Sequence, residues 1–241
     1  MPARKALIAV TSATATLFNG KERTGLFISE ALHPYRALVA AGFEVDLASE
    51  TGSYTADWLS QQPDFLHGED LAIWNDVDSE FRQKLDHMRP AAEILADSAA
   101  EYGLFYASAG HAALIDYPTA RALQQIAEQV WAAGGVVASV CHGPAIFADL
   151  RDRATGTPII QGRKITGFTT EAEETMGVMA DLRGLGAEMV EELAQRLGAK
   201  YERSAGIWDD FHVVDGRLVT GQNPASATST ALAAIEVFDK L

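Results

Sequence analysis

The chain alternates between two patterns of apolar positions. Residues 6–11, 104–107 and 135–140 are nearly unbroken apolar runs, and residues 43–48 alternate apolar with acidic. Runs of this length predict strands. Between them, residues 25–41 carry Leu26, Ile28, Leu32 and Leu38 at helical spacing, with Pro34 as an expected kink. Residues 119–133 carry Leu123, Ile126, Val130 and Trp131 on one side. This alternation predicts an α/β fold, a parallel-sheet sandwich with helices on both faces. Further strands are expected at 164–168, 211–214 and 217–220, the last two joined through Asp215-Gly216, a strong hairpin dipeptide. Residues 226–239 read as a closing helix.

Two stretches fit the alternation poorly. Residues from about 53–97 are rich in Asp, Trp and Phe, and residues 170–186 are acidic and carry Met176 and Met179. Both read as insertions that cap the C-terminal edge of the sheet, where open α/β sheets bind ligands. For the first, a solvated surface elaboration explains the composition equally well. With no internal repeat, low-complexity tract or linker, residues 1–241 read as one domain.

The chain of 241 residues suffices for one well-buried domain. Its 33 acidic and 19 basic residues leave a net charge of −14. That disfavours nucleic acid and anionic membranes as partners, since both are held through basic patches. A single cysteine cannot form an internal disulfide and points to a reducing, cytoplasmic compartment. The first apolar run stops at Thr11-Ser12, too short for a secretory signal, and no run approaches the ~20 apolar residues of a membrane span.

That cysteine, Cys141, ends the run 135–140 and is followed by His142, Gly143 and Pro144. A buried strand entering a tight turn and then a helix is the layout of a nucleophile elbow, with Cys in place of Ser. Helix N–H groups beside the sulfur predict a depressed thiol pKa and a place for an oxyanion. A lone cysteine is more often a small buried hydrophobe, but the strand-to-turn position and the adjacent histidine argue for chemistry.

Three more segments at strand ends can converge on the elbow. Ser108-Ala109-Gly110-His111 offers the Gly110 N–H. Glu30 lies in an apolar helical stretch that would raise its pKa and suit it to proton transfer. Glu171, Glu173 and Glu174 follow the expected strand at 164–168, and at most one of them would be catalytic. The ordinary readings are a surface carboxylate for Glu30, a turn residue for His111, and structural or exposed roles for His33, His67, His87 and His212. No His/Cys/carboxylate set stands at metal-ligand spacing, and neither a GxGxxG nor a Walker A loop is present. No metal or other cofactor is therefore expected.

Several stretches carry a family resemblance. They include residues 24–34, Ala107-Ser108-Ala109-Gly110-His111, Asp116-Tyr117-Pro118, Val140-Cys141-His142-Gly143-Pro144, Ile165-Thr166-Gly167-Phe168-Thr169, Trp208-Asp209-Asp210 and Asn223-Pro224-Ala225-Ser226. Together they span almost the whole chain. The chain resembles the PfpI-like, class I glutamine-amidotransferase-like superfamily. More narrowly, it resembles the glutathione-independent glyoxalases (glyoxalase III, D-lactate dehydratase), described in fungi also as stress-induced chaperones.

The resemblance implies a flavodoxin-like sheet with a small cap insertion. Carried over by position, Cys141 would be the nucleophile, His142 its imidazole partner, Glu173 the residue orienting His142, and Glu30 the carboxyl beside the sulfur. The N–H groups of Gly110 and His142 would form an oxyanion hole, with His111 as a substrate contact. The implied reaction takes methylglyoxal, a small 2-oxoaldehyde, and water to D-lactate without glutathione or metal, in a homodimer. Other readings of the same residues are a holdase-type chaperone, repair of glycated protein or nucleotide, and a peptidase, which would need an open groove.

Overall fold

In the computed structural model, seven strands form the central sheet in the order His212–Asp215, Leu218–Gly221, Val136–Val140, Leu104–Ala107, Lys5–Val10, Glu44–Ser49 and Arg89–Pro90. The structure describes residues 2–97 and 99–241; Met1 and Ser98 lie outside the described residues. Neighbouring strands run parallel except for the hairpin of His212–Asp215 with Leu218–Gly221. The first strand is buried almost throughout, which explains its unbroken apolar run. Glu44–Ser49 opens with an exposed Glu44 and a half-buried Asp46, and so alternates in sequence. Arg89–Pro90 is a short edge strand, where a missing proline N–H is tolerated.

The topology fixes where a site can lie. From Lys5–Val10 the chain passes through the helix Ile28–Ala40 to Glu44–Ser49 on one side. It then returns across the sheet to Leu104–Ala107 and moves outward through Arg121–Ala132 to Val136–Val140. Right-handed crossovers in opposite directions put these two helices on opposite faces. Ile28–Ala40 packs with the closing helix Ala227–Phe238, and Arg121–Ala132 with Ala91–Asp97. The order reverses between Lys5–Val10 and Leu104–Ala107, so a crevice opens there at the C-terminal strand ends.

Some expectations change in detail. The first helix starts at Ile28, because residues 25–27 are bonded from both sides: Leu26 N–H donates to Thr55 O at 2.7 Å and Phe27 N–H to Ala109 O at 2.8 Å. A Cβ at Gly25 would lie 1.9 Å from Thr55 O, so only glycine passes. The helix then runs unbroken to Ala40 through Pro34. The strand expected at 164–168 is only Lys164–Ile165, and it pairs with Lys200–Tyr201 outside the central sheet. Residues after it turn away to bond elsewhere: Thr166 N–H donates to Thr220 Oγ1 and Phe168 N–H to Cys141 O.

A hairpin of Ala15–Leu17 with Glu22–Thr24 was unanticipated, although Asn19-Gly20 signals its turn. The helix Val190–Leu197 was also missed, although Val190, Leu193 and Leu197 have helical spacing. The stretch 53–97 divides: residues 55–58 run against 23–26, whereas Arg89–Pro90 and Ala91–Asp97 join the sandwich itself. Residues 170–186 form two short helices, Thr170–Met176 and Met179–Gly184. Among the described residues, no helix is long and apolar enough to cross a membrane.

Candidate active site

Cys141 follows the last residue of Val136–Val140 and has φ +58°. A non-glycine residue held there costs on the order of 1–3 kcal/mol and persists only where its surroundings enforce it. Here Cys141 N–H donates to Gly221 O at 2.9 Å, and Cys141 O accepts from Phe168 N–H at 2.8 Å. Gly143 is equally constrained, since a Cβ would sit 2.5 Å from Ala107 O. Beyond the elbow the expected helix is a 3-10 helix, Gly143–Asp149.

The thiol lies 3.2 Å from His142 Nδ1. On the far side of that ring, Nε2 meets Glu173 Oε1 at 2.6 Å. The other oxygen, Oε2, meets His111 Nε2 at 2.9 Å. The two imidazole rings are 4.5 Å apart and inclined by 39°, with Phe168 packed 4.7 Å from His142. Cys141, His142, Glu173 and His111 are all buried. Glu173 is placed by Thr170–Met176, whose N-cap Thr169 accepts from Ala172 N–H at 3.1 Å. Glu171 and Glu174 on the same helix are exposed, and Glu171 pairs with Arg203.

Glu30 sits in the first turn of Ile28–Ala40 and is fully buried. Neither carboxyl oxygen makes a hydrogen bond of good geometry, yet the Cys141 thiol is near enough to influence its ionisation. Burial dominates and pushes Glu30 up to about 8, with the thiol and His111 pulling it part of the way back. Glu173 has the opposite outcome. Burial would raise it, but the charges and hydrogen bonds of His111 and His142 outweigh burial and hold it well below the usual carboxylate range.

The thiol departs from the sequence-based expectation of a depressed pKa. Burial, followed by the charge and close approach of Glu30, pushes Cys141 well up, and the His142 backbone N–H only partly offsets this. Burial of the sulfur, reinforced by an ionisable carboxyl beside it, is the reason a helix-terminus argument gives the wrong sign here.

A small apolar pocket opens over Cys141, with Gly110, His111 and His142 beside it and walls of Phe27, Phe65, Phe168 and Trp208. A larger concavity, around Lys5, Glu44, Asp46 and Lys84, lies at the N-terminal strand ends. Lys5 there is already paired with Glu44, Asp46 and Glu101, and Lys84 with Asp46.

All six anticipated residues therefore share one place: Cys141, His142, Glu173 and His111 in a bonded chain, Glu30 against the thiol, and Gly110 in the cavity wall. His33 instead pairs with Asp70 at 2.7 Å, His87 Nδ1 lies near Gln83 O, and His67 and His212 are exposed. Sequence reading missed the buried Asp57, which accepts from Gly25 N–H at 3.3 Å and Ser60 N–H at 3.1 Å. It adds a negative field at Glu30, His111 and His142. The one faint signal was an Asp three residues before a Ser, a local capping pattern.

Sequence spacing also hid that His111, His142 and Glu173 bring ligand-type atoms within 4.8 Å of one another. Both Nε2 atoms lie at hydrogen-bond distance from a carboxylate oxygen, so each carries a proton where a metal would need a lone pair. The trio forms a closed hydrogen-bonded set.

A family model for the DJ-1/PfpI family matches residues 25–237. Among curated proteins, the chain is 47% identical over 238 residues to the glutathione-independent glyoxalase HSP31 of Saccharomyces cerevisiae, covering 99% of each. It is 45% identical over 235 residues to glyoxalase 3 of Candida albicans, covering 98% of each. The crystal structure of glyoxalase III from Candida albicans matches with a TM-score of 0.95 at 44% identity, covering 98% of both chains.

Proposed function

The chain belongs to the DJ-1/PfpI family, and from that premise we propose that it is a glutathione-independent glyoxalase that converts methylglyoxal and water to D-lactate through Cys141. The observation that carries the reading is a buried thiol at the elbow between two proton-handling groups, Glu30 and His142, under a small apolar cavity. Such a cavity suits a small 2-oxoaldehyde. Its walls carry no lysine or arginine for the carboxylates of a glutathione adduct.

The chemistry balances with these groups alone. Cys141 sulfur attacks the aldehyde carbon while its proton passes to His142 Nδ1. Glu30, protonated at neutral pH, donates to the aldehyde oxygen and leaves a hemithioacetal. The Glu30 carboxylate then takes the C1 proton, the electron pair forms the C1–C2 double bond, and His142 protonates the second oxygen to give an enediol. Glu30 delivers its proton to C2 as the C1 hydroxyl proton returns to His142, and a thioester results. Water, deprotonated by Glu30, attacks this thioester. The sulfur departs with the proton from His142, which restores the starting protonation states. In this scheme Gly110 and His142 N–H groups face the oxyanion, and Glu173 holds the His142 ring in place.

The test is the rate of lactate formation from methylglyoxal without thiol, with the product's chirality determined. Wild type is expected to make D-lactate, and Cys141→Ala to fold and make none. L-lactate, a requirement for added glutathione, or an active Cys141→Ala would overturn the proposal.

A further inference from the structure

Glu173 spends its two oxygens on two different histidines. Only His142 reaches the thiol, and it does so with the nitrogen that Glu173 leaves free. His142 can accept the Cys141 proton only while Nδ1 keeps its lone pair, that is, while the ring is neutral. A buried carboxylate facing one imidazole would concentrate its field there and favour the imidazolium. Here that field is divided.

Resting on the glyoxalase reading for its substrate, we propose that His111 is a positioning residue that occupies the second Glu173 oxygen and thereby keeps His142 neutral, with Nδ1 ready to take the thiol proton.

The geometry supports this division. The His111 ring stands 4.5 Å from the His142 ring, so a charge on His111 opposes a second charge on His142. The charged or titratable groups facing the pair are Glu173, Asp57, Glu30 and Cys141. For His111, burial pulls the pKa down, but the charge and hydrogen bond of Glu173, with Asp57 behind them, bring it above the usual histidine value. For His142, burial pulls down first, His111 adds to it, and Glu173 does not restore the balance. The carboxylate therefore favours the charged form of the ring that does not touch sulfur, and the ring beside the thiol is biased toward its neutral form.

The test uses His111→Phe, which keeps a planar ring without a donor, and His111→Asn, which keeps a donor without a charge. The pH profile of kcat/KM for methylglyoxal should shift its acid limb upward by about one pH unit in His111→Phe, because His142 then protonates more readily. His111→Asn should shift it less. Nitrogen-15 NMR of the His142 ring without substrate should show a neutral ring at neutral pH in wild type and a raised titration in His111→Phe. The NMR result needs no turnover, so it stands or falls apart from the glyoxalase reading. A uniform loss of rate with an unshifted limb, or a His142 titration unchanged in both variants, would make His111 a packing residue and overturn the proposal.

Discussion

Glu30 and Glu173 lie at the two ends of one chain of groups, Glu30–Cys141–His142–Glu173, and both are buried. Their surroundings are unlike. Glu30 rises from the start of a helix into a region with no hydrogen-bonding partner of good geometry, so desolvation governs it and favours its neutral form. Glu173 meets two imidazole N–H groups, and their charge and hydrogen bonds overcome the same desolvation. The side chain is identical; the partners set the protonation state. A neutral carboxyl beside a thiol can give and take a proton, whereas an ionised one between two rings can only orient them and hold charge.

The contrast can be broken most forcefully at Glu30. Glu30→Gln should lower turnover by on the order of 10³–10⁴-fold, the upper range for a positioned acid–base group, while iodoacetamide still alkylates Cys141. Near-wild-type turnover would shift proton transfer to His142 alone. Glu173→Gln should be milder, on the order of 10²-fold. An amide can still accept from His142 through its oxygen while its NH₂ faces His111. A loss exceeding that of Glu30→Gln would reverse the division of labour.

Stability should separate the two carboxyls by sign. Glu30 titrates near 8 in the folded protein against 4.5 unfolded, so its contribution is present below 4.5 and is lost as pH rises toward 8. That difference sets a ceiling of about 5 kcal/mol, at about 1.4 kcal/mol per unit over the interval from 4.5 to 8. Glu30→Gln should therefore stabilise the protein by about 1–3 kcal/mol at pH 8, the unpaired amide offsetting part of the gain, and the advantage should fade toward pH 4.5. Glu173 has a depressed folded pKa, so its contribution is present above the unfolded value and is lost on acidification. Glu173→Gln should destabilise at neutral pH, by an amount that shrinks in acid. Thermal melts across pH read both slopes, and parallel slopes would contradict the contrast.

The smallest effect is expected at the exposed neighbours. Glu171→Gln and Glu174→Gln should retain nearly wild-type rates in the same assay, since neither side chain faces the elbow. A severe loss at either would point to a different orienting acid.

Much of this geometry is legible in the sequence. The elbow is written in a strand-like run ending at Cys141-His142-Gly143-Pro144, and Gly216, at φ +62°, supplies the turn that Asp215-Gly216 announced. The apolar neighbours of Glu30 already indicated a raised pKa, in line with what burial does to it. Other features depend on long-range packing. His111 and Glu173 are 62 positions apart, and nothing local pairs them. Asp57 acts through backbone bonds to a segment more than thirty positions away. The thiol's pKa direction depends first on how deeply the fold buries the sulfur and then on how close Glu30 approaches it, and no periodicity encodes either.

The most direct measurement is a carbon-13 NMR titration of glutamate carboxyl groups in the wild-type protein, with the two resonances assigned by their loss in Glu30→Gln and Glu173→Gln. Glu30 should remain protonated through neutral pH and titrate at about 8, while Glu173 should stay ionised until well into the acid range. Two carboxyls titrating together near the ordinary value of 4.5 would contradict the division between them.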